Sequence, residues 1–112
     1  MERENSAMLS VIIPSFNEKE NIRRTADTIA GILRSADIPY ELIFIDDGSR
    51  DGTWAEICAA NENDPCVRGL GFSRNFGKEG AIFAGLKNAR GDCAVCIDCD
   101  LQHPPELIPE MY

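Results

Sequence analysis

Lysine and arginine are scarce in this chain of 112 residues: 11 of them stand against 19 Asp and Glu, a formal net charge of −8. Binding a nucleic-acid backbone needs clustered cations, and no basic stripe exists here, so nucleic acid is excluded as a partner. A small phosphorylated ligand stays open, because a bound metal ion can supply the missing positive charge. Long apolar runs are also missing. None approaches the ~20 residues of a membrane span, and polar, charged residues 1–8 predict a flexible N-terminal segment without a signal peptide. Internal repeats, low-complexity stretches and linkers are absent, so residues 9–112 are expected to form one folding unit. The 5 cysteines are odd in number and sit in apolar patterns, which predicts reduced, buried thiols and a cytoplasmic protein.

What is present is a regular alternation. A short β-branched run from Leu9 to Pro14 predicts a buried strand. Asn17 and Glu20 have the spacing of a helix cap, and Ile22, Ala26, Ile29, Leu33 and Ala36 then recur on one helical face. A second strand is expected from Tyr40 to Ile45. Thr53 and Glu56 repeat the capping spacing ahead of a helix carrying Trp54, Ile57 and Cys58. A third strand, Val67 to Phe72, is weakened by Gly69 and Gly71. A small-residue helix through Ala81, Gly85 and Ala89 is expected to end at Gly91 as its C′ residue. Asp92 to Ile97 predicts a fourth buried strand, and Pro104–Pro105 a last helix.

Near-continuous apolar strands alternating with helices imply an α/β fold: a Rossmann-like, doubly wound, mostly parallel sheet. Right-handed crossovers favour strand order 3-2-1-4. Ligands in such sheets bind beyond the carboxyl ends of the strands, where the order reverses. Residues 14–18, the pair Asp46–Asp47 and residues 98–102 all fall there. Asp98 and Asp100, two apart at a strand end, are expected to point the same way, and two close carboxylates favour a divalent cation. Gln102 offers a further oxygen. By contrast, Cys93, Cys96 and Cys99 are spaced by three along a strand, so their sulfurs face alternate sides and cannot converge on one zinc. The lone His103 is expected to be structural, as is the apolar stripe of the first helix.

Four segments in order, Val11-Ile-Ile-Pro-Ser-Phe-Asn-Glu18, Ile45-Asp-Asp-Gly-Ser-Arg-Asp-Gly-Thr53, Ser73-Arg-Asn-Phe-Gly-Lys-Glu79 and Asp98-Cys-Asp-Leu-Gln-His-Pro-Pro-Glu106, give the chain its resemblance. It resembles the nucleotide-sugar domain of inverting glycosyltransferases of family 2, and within them the polyprenyl-phosphate sugar transferases. The resemblance covers residues from about 9 to 110. It implies a GT-A-like fold, a nucleoside diphosphate sugar donor, a lipid-phosphate or glycan acceptor, and Mg²⁺ or Mn²⁺. It also implies roles. Pro14, Phe16 and Glu18 border the base and ribose, Asp46 bonds the base, and Asp47 stabilises the surrounding loop. Asp98 lies near the sugar and ribose, Asp100 and Gln102 hold the metal, and Lys78 meets phosphate. Phe16 stands where tyrosine is common in the family, and His103 where an acidic or polar residue is.

Family members are longer, which implies that this chain carries the donor half of a site and is inactive by itself. The resemblance further implies a full-length protein anchored at the cytoplasmic face of a membrane. An unpaired, apolar fourth strand would favour self-association. Two rivals of other classes remain at this point. A response-regulator-like phosphoacceptor domain shares the sheet and the Mg²⁺ but wants an acidic pair after strand 1, where this chain has Pro14-Ser-Phe16. A catalytically dead nucleotide-binding module would bind nucleotide and never turn over. A dinucleotide oxidoreductase is disfavoured, because no Gly-x-Gly-x-x-Gly follows strand 1.

Overall fold

A computed structural model describes residues 7–99. Seven elements alternate: β1 (Leu9–Ser15), α1 (Lys19–Ser35), β2 (Tyr40–Asp46), α2 (Thr53–Asn63), β3 (Val67–Gly71), α3 (Lys78–Asn88) and β4 (Cys93–Cys96). All three strand pairings are parallel, in the order β3-β2-β1-β4. Leu9 lies opposite both Tyr40 and Cys93, and Ser15 opposite Asp46, so β1 and β2 end level. The doubly wound α/β sheet and its order are those expected from the alternation. The last helix expected from the sequence, at Pro104–Pro105, lies outside the described residues, as do residues 1–6.

Strand alternation sends β1 side chains to two cores. Leu9, Val11 and Ile13 pack with Ile22, Ile29 and Leu33 of α1 and with Ile57 of α2. Ile12 points the other way, with Ile43, Ile45 and Ala81 of α3. Full burial of each such aliphatic side chain contributes about 1.5–3 kcal/mol. Gly85 makes the second core thin: a Cβ there would lie 2.5 Å from Ile12 Cγ2 and 2.9 Å from Ile45 Cδ1. Any larger residue would force Ile12, Ile45 or α3 itself to shift.

Local signals placed the elements better than their ends. Asn17 does not cap α1; Glu18 is the cap residue, without a side-chain cap bond, and Asn17 adopts φ 55°. Its side chain is drawn away by another loop. The Thr53–Glu56 box does not form either, since Gly52 is the cap residue and Thr53 opens the helix itself. The Thr53 amide donates instead to Asp51 Oδ1 at 3.0 Å. Ala36, expected on the buried stripe, is the exposed C-cap of α1. α3 stops at Asn88 rather than running on to Gly91, because Ala89 is already extended. Gly91 serves the sheet instead, its amide donating to Ser10 Oγ at 2.9 Å.

β4 corrects the largest expectation. It is four residues long, and Cys93, Ala94 and Cys96 are exposed. Apolarity implied burial, but α3 packs over β1 and β2, and β4 bonds to β1 alone among the described strands. The chain turns inward only afterwards. The Ile97 amide adds one more rung to Ile12 O at 3.0 Å, and Ile97 and Cys99 enter the α1-side core. Four of the five cysteines, Cys58, Cys66, Cys93 and Cys96, are therefore exposed thiols, and Cys99 alone is buried. Met8 is tied to this strand as well, its amide donating to Asp92 Oδ2 at 2.9 Å.

At the amino end of the strands the α3-side face carries a buried carboxylate. Glu41 accepts from Ser10 Oγ at 2.6 Å, from the Arg90 amide at 2.6 Å and from Arg68 Nη1 at 2.6 Å. Burial pushes this carboxyl up, but the three donors outweigh it and hold it below the usual glutamate range.

Among the described residues no helix is long and apolar enough to cross a membrane.

Candidate functional site

Beyond the carboxyl ends of β1, β2 and β4 lies an open cleft of about 430 Å³. Pro14, Phe16 and Glu18 form one wall, Asp47 and Lys78 another, and Asp98 a third. The topology explains the meeting: β1 is the strand from which the chain passes to β2 on one side and pairs β4 on the other, so three loops open at one place.

The first wall is held by the second. The Asn17 amide donates to Ser49 Oγ at 2.8 Å, and the Arg50 amide donates to Asn17 Oδ1 at 3.0 Å. One residue on, the Glu18 amide donates to Thr53 Oγ1 at 3.0 Å, and the Lys19 amide to Asp51 Oδ2 at 3.3 Å. The β1–α1 and β2–α2 loops are thus clasped, which is why Asn17 and Thr53 abandon local capping. The Thr53 hydroxyl closes the clasp by donating to Asp51, which holds that carboxyl below its usual range. Phe16 is left 47 % exposed at the cleft, an aromatic face offered to a ring.

Asp46 and Asp47 do different work. Asp46 is buried, its Oδ1 accepting the Ser49 amide at 2.9 Å, and it does not line the cleft. Asp47 reaches across to the β3–α3 loop. Its Oδ1 accepts the Phe76 amide at 2.7 Å and its Oδ2 the Gly77 amide at 3.0 Å, while its carbonyl accepts Asn75 Nδ2 at 3.2 Å. Phe76 is further braced by Phe72 edge-on at 5.3 Å and by the Arg74 guanidinium at 4.8 Å. The loop also needs Gly48: at φ 78°, any Cβ there would fall 2.4 Å from the Arg74 carbonyl carbon. All this fixes the residue before α3, and so the start of Lys78.

Lys78 Nζ donates to Asp98 Oδ1 at 2.8 Å. The pair is open to water, with side-chain exposures of 63 % for Lys78 and 28 % for Asp98. Asp98 stands two residues past the end of β4, so strand alternation does not set its direction. Its neighbour Cys99 is anchored by Thr25 of α1, whose hydroxyl donates to the Cys99 carbonyl. Cys99 lines the cleft, with its sulfur 3.9 Å from Thr25 Oγ1. Asp100 and Gln102, the other ligands expected from sequence, lie outside the described residues, as does His103. Among the described residues no group of three or more His, Cys, Asp or Glu side chains is placed to hold a metal ion. Of the expected ligands Asp98 alone is described, and its carboxylate is the oxygen type that a hard divalent cation such as Mg²⁺ or Mn²⁺ takes.

Sequence reasoning gave no role to Ser15, although it placed residues 14–18 at the site, and missed Asn75 and Gly77, which also line the cleft. Asn75 and Gly77 were visible as a polar, glycine-ended loop, but nothing local ties that loop to Asp47. A second hollow of about 200 Å³ between α1 and α2 has an alanine floor and mixed charges, Arg23 and Arg34 beside Asp27 and Asp64, and converges on no common chemistry.

The family described as Glycosyl transferase family 2 matches residues 10–112. A bactoprenol glucosyl transferase of Shigella phage SfV is 45% identical over 103 residues, covering 92% of this chain and 34% of that protein. An undecaprenyl-phosphate 4-deoxy-4-formamido-L-arabinose transferase of Shewanella sediminis is 39% identical over 109 residues, 96% of this chain and 33% of that protein. The chain therefore spans about a third of the length of these relatives. Among solved structures, a mannosyltransferase from Pyrobaculum calidifontis in complex with GDP-Man and Mn²⁺ is similar, with TM-score 0.77 and 25% identity, covering 95% of this chain and 31% of that one. S. aureus TarS 1-349 in complex with UDP gives TM-score 0.66 at 26% identity, over 83% of this chain and 27% of that one.

Proposed function

This chain belongs to glycosyltransferase family 2, and on that premise we propose that its cleft holds a nucleoside diphosphate sugar for transfer to a polyprenyl phosphate. The observation that carries the reading is the meeting of Phe16, Asp47, Lys78 and Asp98 around one open cleft at the reversal of strand order. Two similar proteins are named for bactoprenol or undecaprenyl phosphate, and two similar structures were solved with GDP-Man or UDP, which supports both halves of the reading.

In this proposal Pro14, Phe16 and Glu18 receive the base and ribose, with the Phe16 ring against the base. Asp46 is the residue proposed to bond the base; its Oδ1 also accepts the Ser49 amide, which closes the turn carrying Asp47. Asp47 acts by holding the β3–α3 loop in place, and Lys78 faces the diphosphate. Asp98 takes part in a divalent metal site with Asp100 and Gln102. The metal, when bound, would neutralise charge that develops on the departing diphosphate. The acceptor oxygen forms a bond to the anomeric carbon as the bond from that carbon to the diphosphate breaks, on the opposite face, so configuration inverts. A lipid phosphate is ionised near neutral pH and attacks without a general base. Donor binding without turnover is the proposed behaviour of the 112 residues by themselves, and the cytoplasmic face of a membrane the proposed place of the whole protein.

Thermal-shift titration with UDP and GDP, with and without Mn²⁺, tests the reading. One of the two should stabilise the chain, more so with the metal. Asp98→Asn should abolish the Mn²⁺ increment while lowering stability in the absence of ligand by less than about 1 kcal/mol, as befits an exposed ion pair. Stabilisation by neither nucleotide would sink the proposal.

A further inference from the structure

A helix packed on a sheet ordinarily turns its large apolar residues inward and its polar ones to water. α3 reverses this. Its buried residues are the small Ala81 and Gly85, whereas Phe83 and Leu86 face water at 62 % and 49 % exposure. At about 3.6 residues per turn Phe83 falls opposite the midline of Ala81 and Gly85. Phe76, in the loop leading into the helix, is 54 % exposed. We infer that this outer face of α3 docks on an anionic lipid bilayer. The inference rests on the proposed function and deepens it, naming the surface that brings the cleft to the membrane carrying its lipid-phosphate acceptor.

Charge decides what the face fits. Residues 67–91 hold 5 of the 11 Lys and Arg and, of the 19 acidic residues, only Glu79, so this stretch is cationic in a chain of net charge −8. Arg68 is bonded to Glu41 and Lys78 to Asp98, but Arg74, Lys87 and Arg90 are also present and exposed. Two of these lie over the exposed rings. The Arg74 guanidinium is 4.8 Å from the Phe76 centroid, and Lys87 Nζ is 5.5 Å from the Phe83 centroid. A ring with a cation beside it matches the boundary of a bilayer, where the ring enters the upper acyl region and the cation meets lipid phosphate. An apolar protein surface would cover the rings and leave both cations without an anion.

The patch begins at the cleft. Asn75 and Gly77 line the cleft and Phe76 stands between them, with Phe83 about two turns further along α3. The bonds from the Phe76 and Gly77 amides to Asp47 fix this loop, so the first ring is presented on a rigid support. A bilayer against the face therefore lies beside the cleft mouth. A polyprenyl phosphate keeps its tail in the bilayer and its phosphate at the surface, so donor and acceptor can meet without the lipid leaving the membrane.

Flotation of the 112 residues with vesicles of mixed phosphatidylglycerol and phosphatidylcholine, against phosphatidylcholine alone, tests the docking. The chain should float with the anionic vesicles and not with the neutral ones, and added salt should weaken the binding. Phe83→Ser should weaken it about tenfold through loss of an inserted ring, and Lys87→Gln about fivefold through loss of one cation. Glu79→Gln, which removes the acid of the helix, should strengthen it. None of these three residues lines the cleft, so stabilisation by UDP or GDP should stay unchanged in each variant. Equal binding to neutral and anionic vesicles overturns the inference, as does unchanged binding in both Phe83→Ser and Lys87→Gln. Absence of vesicle binding, with a dimer that Phe83→Ser dissociates, overturns it too and gives the face to a second copy of the chain. Stabilisation by a nucleotide with no vesicle binding overturns the docking and leaves the proposed function standing. Vesicle binding with stabilisation by neither nucleotide supports the docking face and sinks the donor reading.

Discussion

At the amino end of the sheet Glu41 is 4 % exposed and both of its oxygens are committed, to Ser10, Arg90 and Arg68. At the carboxyl end Asp98 holds a lysine that is itself mostly in water. Both are acidic residues paired with a cation at a strand end, yet their surroundings give them different work. Around Glu41 the donors are the Ser10 hydroxyl of β1, the Arg90 amide before β4 and the largely covered Arg68 guanidinium of β3, so the buried charge ties three strands together. Around Asp98 the partner is a long flexible side chain bordering an open cleft. A carboxylate buried among donors of the fold stabilises it, and one that borders an open cleft is accessible to a ligand. Asp47 stands between the two, buried and saturated but holding the loop that borders the cleft.

Glu41→Ala probes the first kind of site and should have the largest effect on stability. Removing the carboxylate strands the Arg68 charge, the Ser10 hydroxyl and the Arg90 amide, at a cost of about 3 kcal/mol. The urea midpoint should fall accordingly, while nucleotide affinity of the folded protein stays as it was. A large loss of nucleotide affinity would erase the distinction between the two ends. Asp47→Asn comes next. Its amide nitrogen opposes a backbone N–H where an oxygen accepted one, so about 2 kcal/mol should be lost. Here, unlike at Glu41, nucleotide affinity should fall too, by about tenfold if Lys78 shifts by the width of a hydrogen bond.

The smallest effect is one of pH. Glu41 has its folded pKa held below the ordinary value, so the folded state binds its proton less readily than the unfolded chain does. The stability it contributes is complete above the unfolded glutamate value of about 4.3 and is lost as pH falls through the lower folded value. Urea midpoints between neutral pH and pH 3 should decline less steeply in Glu41→Gln than in wild type. Equal slopes would show that the three donors do not distinguish the charged form.

The fold was legible because its signals are local. Unbroken apolar runs at β1 and β2, and the spacing of Ile22, Ala26, Ile29 and Leu33 along α1, state their own periodicities. The capping errors have one cause. Asn17 and Thr53 have the chemistry of caps, and in isolation would cap; in the folded chain Asn17 Oδ1 takes the Arg50 amide and Thr53 Oγ1 the Glu18 amide of the facing loop. β4 misled for a related reason, since its residues are apolar enough to be buried but burial depends on whether a helix lies over them.

Sequence by itself determined the order of strands and helices, the family, and which residues reach the carboxyl end of the sheet. Periodicity, turn chemistry and motif spacing are properties of neighbours along the chain, and parallel crossovers leave few ways to arrange them. Tertiary structure alone decided the pairings: Asn17 with Arg50, Asp47 with the Phe76 and Gly77 amides, Lys78 with Asp98, and Glu41 with an amide 49 residues away. A carboxylate's partner depends on which donors the fold brings within three ångströms of it, and no spacing in the sequence encodes that distance.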